Sequence, residues 1–160
     1  MQEERLSLRL RRITSFGRRH TRKLSLQGEE IIANTLPNYQ LKLDTLPSSN
    51  ASLELEIGFG DGGFLANMAS NNPDKIFLGA EVFDQGIIKT CKKLSESKLE
   101  NVYIWPDDAM LLLNALPDSY LSSIYILFPD PWPKLRHHKR RLIQIASLEL
   151  MVSKLVRNGR

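Results

Sequence analysis

Glu56, Glu81, Asp108 and Asp130 each stand at or just beyond the end of a short apolar run. Carboxylates gathered at the carboxyl ends of successive strands would repel a pyrophosphate. They suit S-adenosylmethionine, which carries a sulfonium and an ammonium but no phosphate, and whose ribose hydroxyls and adenine amino group need acceptors. By position, Glu81 accepts from the ribose hydroxyls, Asp108 from the adenine amino group, and Glu56 favours the methionine ammonium, directly or through water. Asp130 faces the reacting methyl group. Taken singly, Asp107 or Asp108 reads equally well as a helix N-cap.

The element that must position these acids is residues 56–64, Glu-Ile-Gly-Phe-Gly-Asp-Gly-Gly-Phe, which follows the alternating stretch Leu53-Glu54-Leu55-Glu56-Ile57. Strand, glycine loop and helix follow one another here, and Gly58 and Gly60 allow bare backbone to approach a ligand closely. Gly58, Gly60 and Gly63 also satisfy the G-x-G-x-x-G pattern of nicotinamide and flavin proteins, so the loop alone does not choose the cofactor. A nucleotide-dependent oxidoreductase is therefore an alternative, disfavoured by the acidic crevice.

Further along, periodicity predicts strands over 76–82, 102–105 and 124–128 and helices over 85–97, 109–116 and roughly 141–155. Ile87, Ile88, Cys91 and Leu94 form the inner side of the helix over 85–97. Before the glycine loop, residues 28–36 read as a short helix ending ahead of Pro37, and 38–50 as a loop or linker. Strands alternating with helices imply an α/β fold with a parallel sheet and right-handed crossovers, its ligand at the carboxyl ends of the strands.

The fourth strand runs into Pro129-Asp130-Pro131-Trp132-Pro133-Lys134, where the prolines stiffen the loop that presents Asp130 and Trp132. Trp132 either stacks on a base or packs on the sheet edge. Directly after it, Arg136, His137, His138, Lys139, Arg140 and Arg141 form a dense phosphate-binding strip. The adjacent histidines have no Cys or acid beside them, so no metal site is read there.

Composition sets the remaining bounds. The 160 residues suffice for one domain with a real core. A lone Cys91 permits no intramolecular disulfide, no apolar run reaches transmembrane length, and the first residues lack the apolar core of a signal peptide, which makes the cytoplasm the expected setting. The net charge of +4 is unevenly spread: residues 1–24 hold eight Arg or Lys against two Glu, and residues 41–130 hold six Lys against thirteen acids. Two basic flanks around an acidic middle point to a polyanionic partner, RNA above all.

These pieces together resemble the bacterial tRNA (guanine-N7)-methyltransferase family. The matching residues are Arg12-Ile13-Thr14-Ser15-Phe16, Leu55-Glu56-Ile57-Gly58-Phe59-Gly60, Leu78-Gly79-Ala80-Glu81-Val82, Asp108-Ala109, and Phe128 through Lys134 with the strip from Arg136 to Arg141. The resemblance implies a Rossmann-like S-adenosylmethionine-dependent methyltransferase sheet and tRNA as substrate. It implies that Glu56, Gly58, Gly60, Glu81, Asp108 and Asp130 bind S-adenosylmethionine, that Asp130 is also catalytic, that Lys134 contacts the substrate, and that residues 136–141 bind tRNA. It divides the chain into a basic arm, short helix and linker over 1–50 and a methyltransferase domain over 51–160. Members of the family continue past the last helix into further strands with a Thr-Asp and a later Thr-x-x-Glu motif, where this chain has Arg157-Asn158-Gly159-Arg160. The expectation is thus a C-terminally shortened sheet with an open edge at the fourth strand. A non-catalytic RNA-binding remnant that keeps both basic flanks is the alternative function.

Overall fold

The computed structural model describes residues 23–47 and 52–160. Residues 12–16, which carry part of the family resemblance, lie outside the described residues.

The first helical segment is longer than the sequence predicts. Ser25 caps α1 (Leu26–Glu30), its hydroxyl accepting from the Gly28 amide, and the chain continues through a π-helical turn (Ile31–Thr35) into α2 (Leu36–Tyr39). Pro37 does not stop it. The proline sits in the first turn of α2, where an N–H has little to donate to, and the wide turn ahead of it closes through Leu36 N to Ile31 O. Residues expected as linker enter the core as well: Leu41 is buried and its amide donates to Ile104 O at 2.8 Å. A short 3-10 turn (Leu43–Thr45) follows.

Four parallel strands then form one sheet, β1 (Leu53–Ile57), β2 (Ile76–Ala80), β3 (Val102–Trp105) and β4 (Ser123–Ile126), in the order β3-β2-β1-β4. Between them run α3 (Gly63–Asn71), α4 (Asp84–Glu96) and α5 (Ala109–Ala115), and α6 (Ile145–Lys154) closes the fold. Leu53, Leu55 and Ile57 pack with Met110, Leu112 and Leu113 of α5 and Met151 of α6. On the other face Phe77 packs with Leu65 of α3 and with Ile87, Cys91 and Leu94 of α4. Each of these large apolar side chains contributes about 1.5–3 kcal/mol when fully buried, which holds the helices on the sheet and the strand ends in register.

Because both faces are covered, Glu54 and Glu56 are buried along with Leu53 and Leu55. Glu54 is paired at both oxygens, accepting from Lys75 Nζ at 2.8 Å and from Tyr125 OH at 2.9 Å, which offsets the cost of removing its charge from water. Glu56 has a different environment, taken up below.

Boundaries shift for local reasons. β2 stops at Ala80 rather than Val82, because the Glu81 carboxylate takes the Val82 and Phe83 amides. β4 stops at Ile126 rather than Phe128, where its partner β1 ends and turns into the glycine loop. The last helix begins at Ile145 rather than 141: Gln144 and Ser147 form a reciprocal cap, preceded by a 3-10 segment (Leu135–Arg140). The outer edge of β4, expected to stand open, is met by the chain at its start, up to Ile124. Val156 N donates to Leu121 O, Arg160 N to Ser122 O, and Ile124 N to Arg160 O. Among the described residues no helix is long and apolar enough to cross a membrane.

Candidate active site

After β3 the chain crosses to the far side of β1, so the loops leaving β1 and β4 diverge at the carboxyl end of the sheet. A crevice opens where strand order reverses in this way. It is a cavity of about 430 Å³, walled by Ile57 and Gly58 at the end of β1, Ala80 to Phe83 at the end of β2, Asp107 and Ala109 after β3, and Ile126 to Asp130 at the end of β4, with Trp132, Arg140 and Leu142 completing it.

The glycine loop takes three left-handed residues in alternation, Gly58 at φ 75°, Gly60 at φ 56° and Gly62 at φ 70°. A Cβ at Gly58 or Gly60 would meet nothing within 4 Å, so at these two positions glycine serves the backbone conformation and leaves space above it. Below the loop the packing is tight. A Cβ at Gly62 would collide with Thr90, and one at Gly86 with the Gly60 carbonyl oxygen.

Glu81 ties this loop to the sheet. Its Oε2 accepts from Gly60 N at 2.9 Å, and its Oε1 from Val82 N at 2.8 Å and Phe83 N at 3.0 Å. Glu56 lies one residue behind the cavity wall. It is 3% exposed, and its Oε2 finds no hydrogen-bond partner. Burial, reinforced by the nearby charges of Glu81 and Asp61, pushes its carboxyl up to about 7, against a smaller pull from the Leu65 amide.

The structure separates the two acids after β3. Asp108 caps α5, its Oδ1 accepting from Met110 N at 2.9 Å, while Asp107 stands on the cavity wall. Asp130 also lines the cavity, in the exposed loop between Pro129 and Pro131. Trp132 does not lie open. Its ring meets His137 edge to face at 5.6 Å between centroids, and the Arg140 guanidinium lies 5.1 Å from its centre. Arg141 braces the same loop, donating from Nε to Pro131 O at 3.0 Å and from Nη2 to Trp132 O at 3.4 Å. Lys134, Arg136 and Lys139 are exposed and stand apart from the cavity lining, and His138 is half-buried beside them. Of the predicted site, Gly58, Glu81, Asp130 and Arg140 come together on one cavity. Phe128 lines it too, a residue that sequence reasoning assigns to the strand and to the family-like segment but gives no role at the site.

The groups present fit the expected sulfonium cofactor. Three acids, Glu81, Asp107 and Asp130, and one base, Arg140, line the cavity. Unfilled space above Gly58 and Gly60 admits a ligand against backbone, and the unpartnered Glu56 Oε2 adds an acceptor behind the loop.

Residues 50–160 match the protein family described as "Putative methyltransferase". The chain is 39% identical over 148 residues to the tRNA (guanine-N(7)-)-methyltransferase of Hyphomonas neptunium, covering 88% of this chain and 68% of that protein. It is 37% identical over 145 residues to the bifunctional methyltransferase of Rickettsia prowazekii, covering 91% of this chain and 28% of that protein. The solved structure of PKMT2 from Rickettsia typhi in complex with AdoHcy matches 84% of this chain and 24% of that one with a TM-score of 0.51 at 22% identity, a likeness of fold. The chain thus spans little more than a quarter of the bifunctional relative and about two thirds of the Hyphomonas one.

Proposed function

We propose that this chain, which belongs to the tRNA (guanine-N7)-methyltransferase family, transfers a methyl group from S-adenosylmethionine to N7 of a guanine in the variable loop of tRNA, in the cytoplasm. The observation that carries the reading is the acid-lined cavity at the strand switch point, walled in part by Gly58 at the start of a glycine loop that Glu81 holds in place.

The cofactor, when bound, supplies an electrophilic methyl group on a sulfonium. Gly58 and Gly60 offer it unobstructed backbone, and Glu81 and Asp107 offer acceptors on the wall. Glu81 already accepts three backbone N–H bonds and keeps one of its roughly four lone-pair sites for a hydroxyl. Glu56 holds negative charge near the loop once deprotonated. Asp108 acts one step back, fixing the start of α5 and with it the position of Asp107.

Guanine N7 has an unshared pair and no proton, so no general base is needed. The work left to the protein is alignment and exclusion of water. Asp130, fixed between two prolines, orients the guanine and offsets the positive charge that grows on the purine as N7 is alkylated. Lys134 and the strip of Arg136, His137, His138, Lys139, Arg140 and Arg141 hold the tRNA backbone, Arg140 and Arg141 doing so from a loop they also brace.

The test is methyl transfer from labelled S-adenosylmethionine to an unmodified tRNA transcript under enzyme excess, with circular dichroism on the same sample. Label recovered as 7-methylguanosine supports the reading. A folded sample that leaves tRNA unlabelled rejects it in favour of the RNA-binding remnant.

A further inference from the structure

Phe128 is 99% exposed, the most open of the large apolar side chains described, and it lines the same cavity as Asp130. Its backbone is left-handed, φ 52°, in an aromatic residue that precedes a proline. Both features oppose that conformation, since a Cβ disfavours positive φ and a following proline pushes the residue before it toward extended backbone. A side chain that buries nothing gives no folding energy to compensate. The strand exit is thus bent at a cost in order to turn a bare aromatic ring toward solvent at the mouth of the cavity.

Two further aromatics line this cavity: Phe83, half-buried in the segment that the Glu81 carboxylate holds, and Trp132, whose ring is already engaged by His137 and Arg140. An aromatic used as a strut for a basic strip is a poor platform for a base. We infer that the stacking surface for the substrate purine is Phe128, with Trp132 serving to hold the strip beside it. The inference rests on the proposed function and deepens it: the site takes an unstacked purine, read first by its π-face and then by its edge at Asp130. Aromatic stacking also discriminates by nature. It accepts a flat base and gains nothing from a phosphate, so its contribution is independent of salt.

That independence separates Phe128 from a structural role. Wild type, Phe128→Ala and Phe128→Tyr are compared for binding of an unmodified tRNA transcript by fluorescence anisotropy over a salt series, with S-adenosylhomocysteine present, and for 7-methylguanosine formation. Phe128→Ala is expected to weaken tRNA binding about 10-fold at every salt concentration without changing the salt slope, and Phe128→Tyr to restore it. The melting temperatures of all three stay within about 2 °C of one another, since a fully exposed ring contributes little to folding. This pattern upholds the inference even if no 7-methylguanosine forms, in which case only the proposed reaction falls. Wild-type affinity and wild-type methyl transfer in Phe128→Ala overturn the inference and leave the reaction standing. A changed salt slope, or failure of Tyr to rescue, marks Phe128 as a brace for the basic strip and also overturns it. A wild-type chain that does not hold tRNA overturns both.

Discussion

The Gly60 amide donates to Glu81 Oε2 at 2.9 Å, so the loop after β1 is fastened by the residue that follows β2. The same carboxylate holds the Val82 and Phe83 amides, so three N–H groups converge on one side chain. In Glu81→Gln one oxygen becomes a donor, and at least one of these amides faces another N–H. Loss of such a bond in a half-buried setting costs about 1–3 kcal/mol. Urea denaturation is expected to show that loss, and calorimetric titration with S-adenosylhomocysteine a weakening of about tenfold or more, since the loop and the wall acceptor fail together. A variant of wild-type stability that loses only ligand affinity would show that the loop does not depend on this bond.

The acid at the end of β2 is legible in sequence because an apolar run followed by Glu81 has few readings in an alternating α/β chain. The pairing of Glu54 is not. Leu-Glu-Leu-Glu reads as a strand with one wet face, and only the coverage of both faces, with Lys75 and Tyr125 brought alongside, makes Glu54 an interior group. Which of Asp107 and Asp108 caps α5 and which lines the cavity is a matter of one residue of register that composition does not carry. Pro37 misleads for a similar reason, since a proline looks the same at a helix stop and in the first turn of a new helix. Phe128 is hidden by its own hydrophobicity: at the end of an apolar run it reads as core, and its exposure follows from a backbone angle.

Beneath the loop, Gly62 and Thr90 occupy one small volume. A Cβ at Gly62 would collide with both the hydroxyl and the methyl of Thr90, and φ 70° adds strain for any L side chain. Gly62→Ala is therefore expected to destabilise the fold by about 2–4 kcal/mol, overpacking and strain combined. Thr90→Ala empties most of the contested space and removes a buried hydroxyl that has no partner. The double variant is expected to be more stable than the sum of the single effects by about 1 kcal/mol, the mark of two residues sharing a site. Thermal or urea melts of the four proteins in the cycle measure it, and strict additivity would place the cost of Gly62→Ala in its backbone alone.

Glu56 makes stability depend on pH in a direction opposite to that of an ion-paired acid. Its carboxyl rises from 4.5 unfolded to about 7 folded, so the folded state binds the extra proton between those values. Folding stability then falls as pH rises from 4.5 through 7 and levels off above, by about 3 kcal/mol at most on the full difference. Glu56→Gln keeps the shape and removes the titration. At about pH 8 it is expected to be more stable than wild type by about 1–3 kcal/mol, and at about pH 4.5 nearly equal to it. Urea melts at a series of pH values give the comparison. If the proposed cationic cofactor uses the deprotonated carboxylate, affinity for S-adenosylmethionine rises through about pH 7 in wild type and is flat in Glu56→Gln.

The basic strip divides into groups that hold the loop and groups that face water. Arg140 lies over Trp132 and Arg141 donates to the Pro131 and Trp132 carbonyls, whereas Lys134, Arg136 and Lys139 are exposed. Neutralising the exposed three to Gln is expected to leave the melting temperature within about 2 °C of wild type, because exposed charges contribute little to folding. It should flatten the dependence of log affinity on log salt for tRNA by roughly 2, at about 0.7–0.9 for each phosphate left unneutralised. Arg141→Gln is expected to do the reverse, disturbing the Pro129–Lys134 loop and lowering methyl transfer more than it changes the salt slope. An unchanged slope in the triple variant would move the tRNA-binding surface away from this strip, leaving the other basic flank, residues 1–24, as the surface to neutralise next.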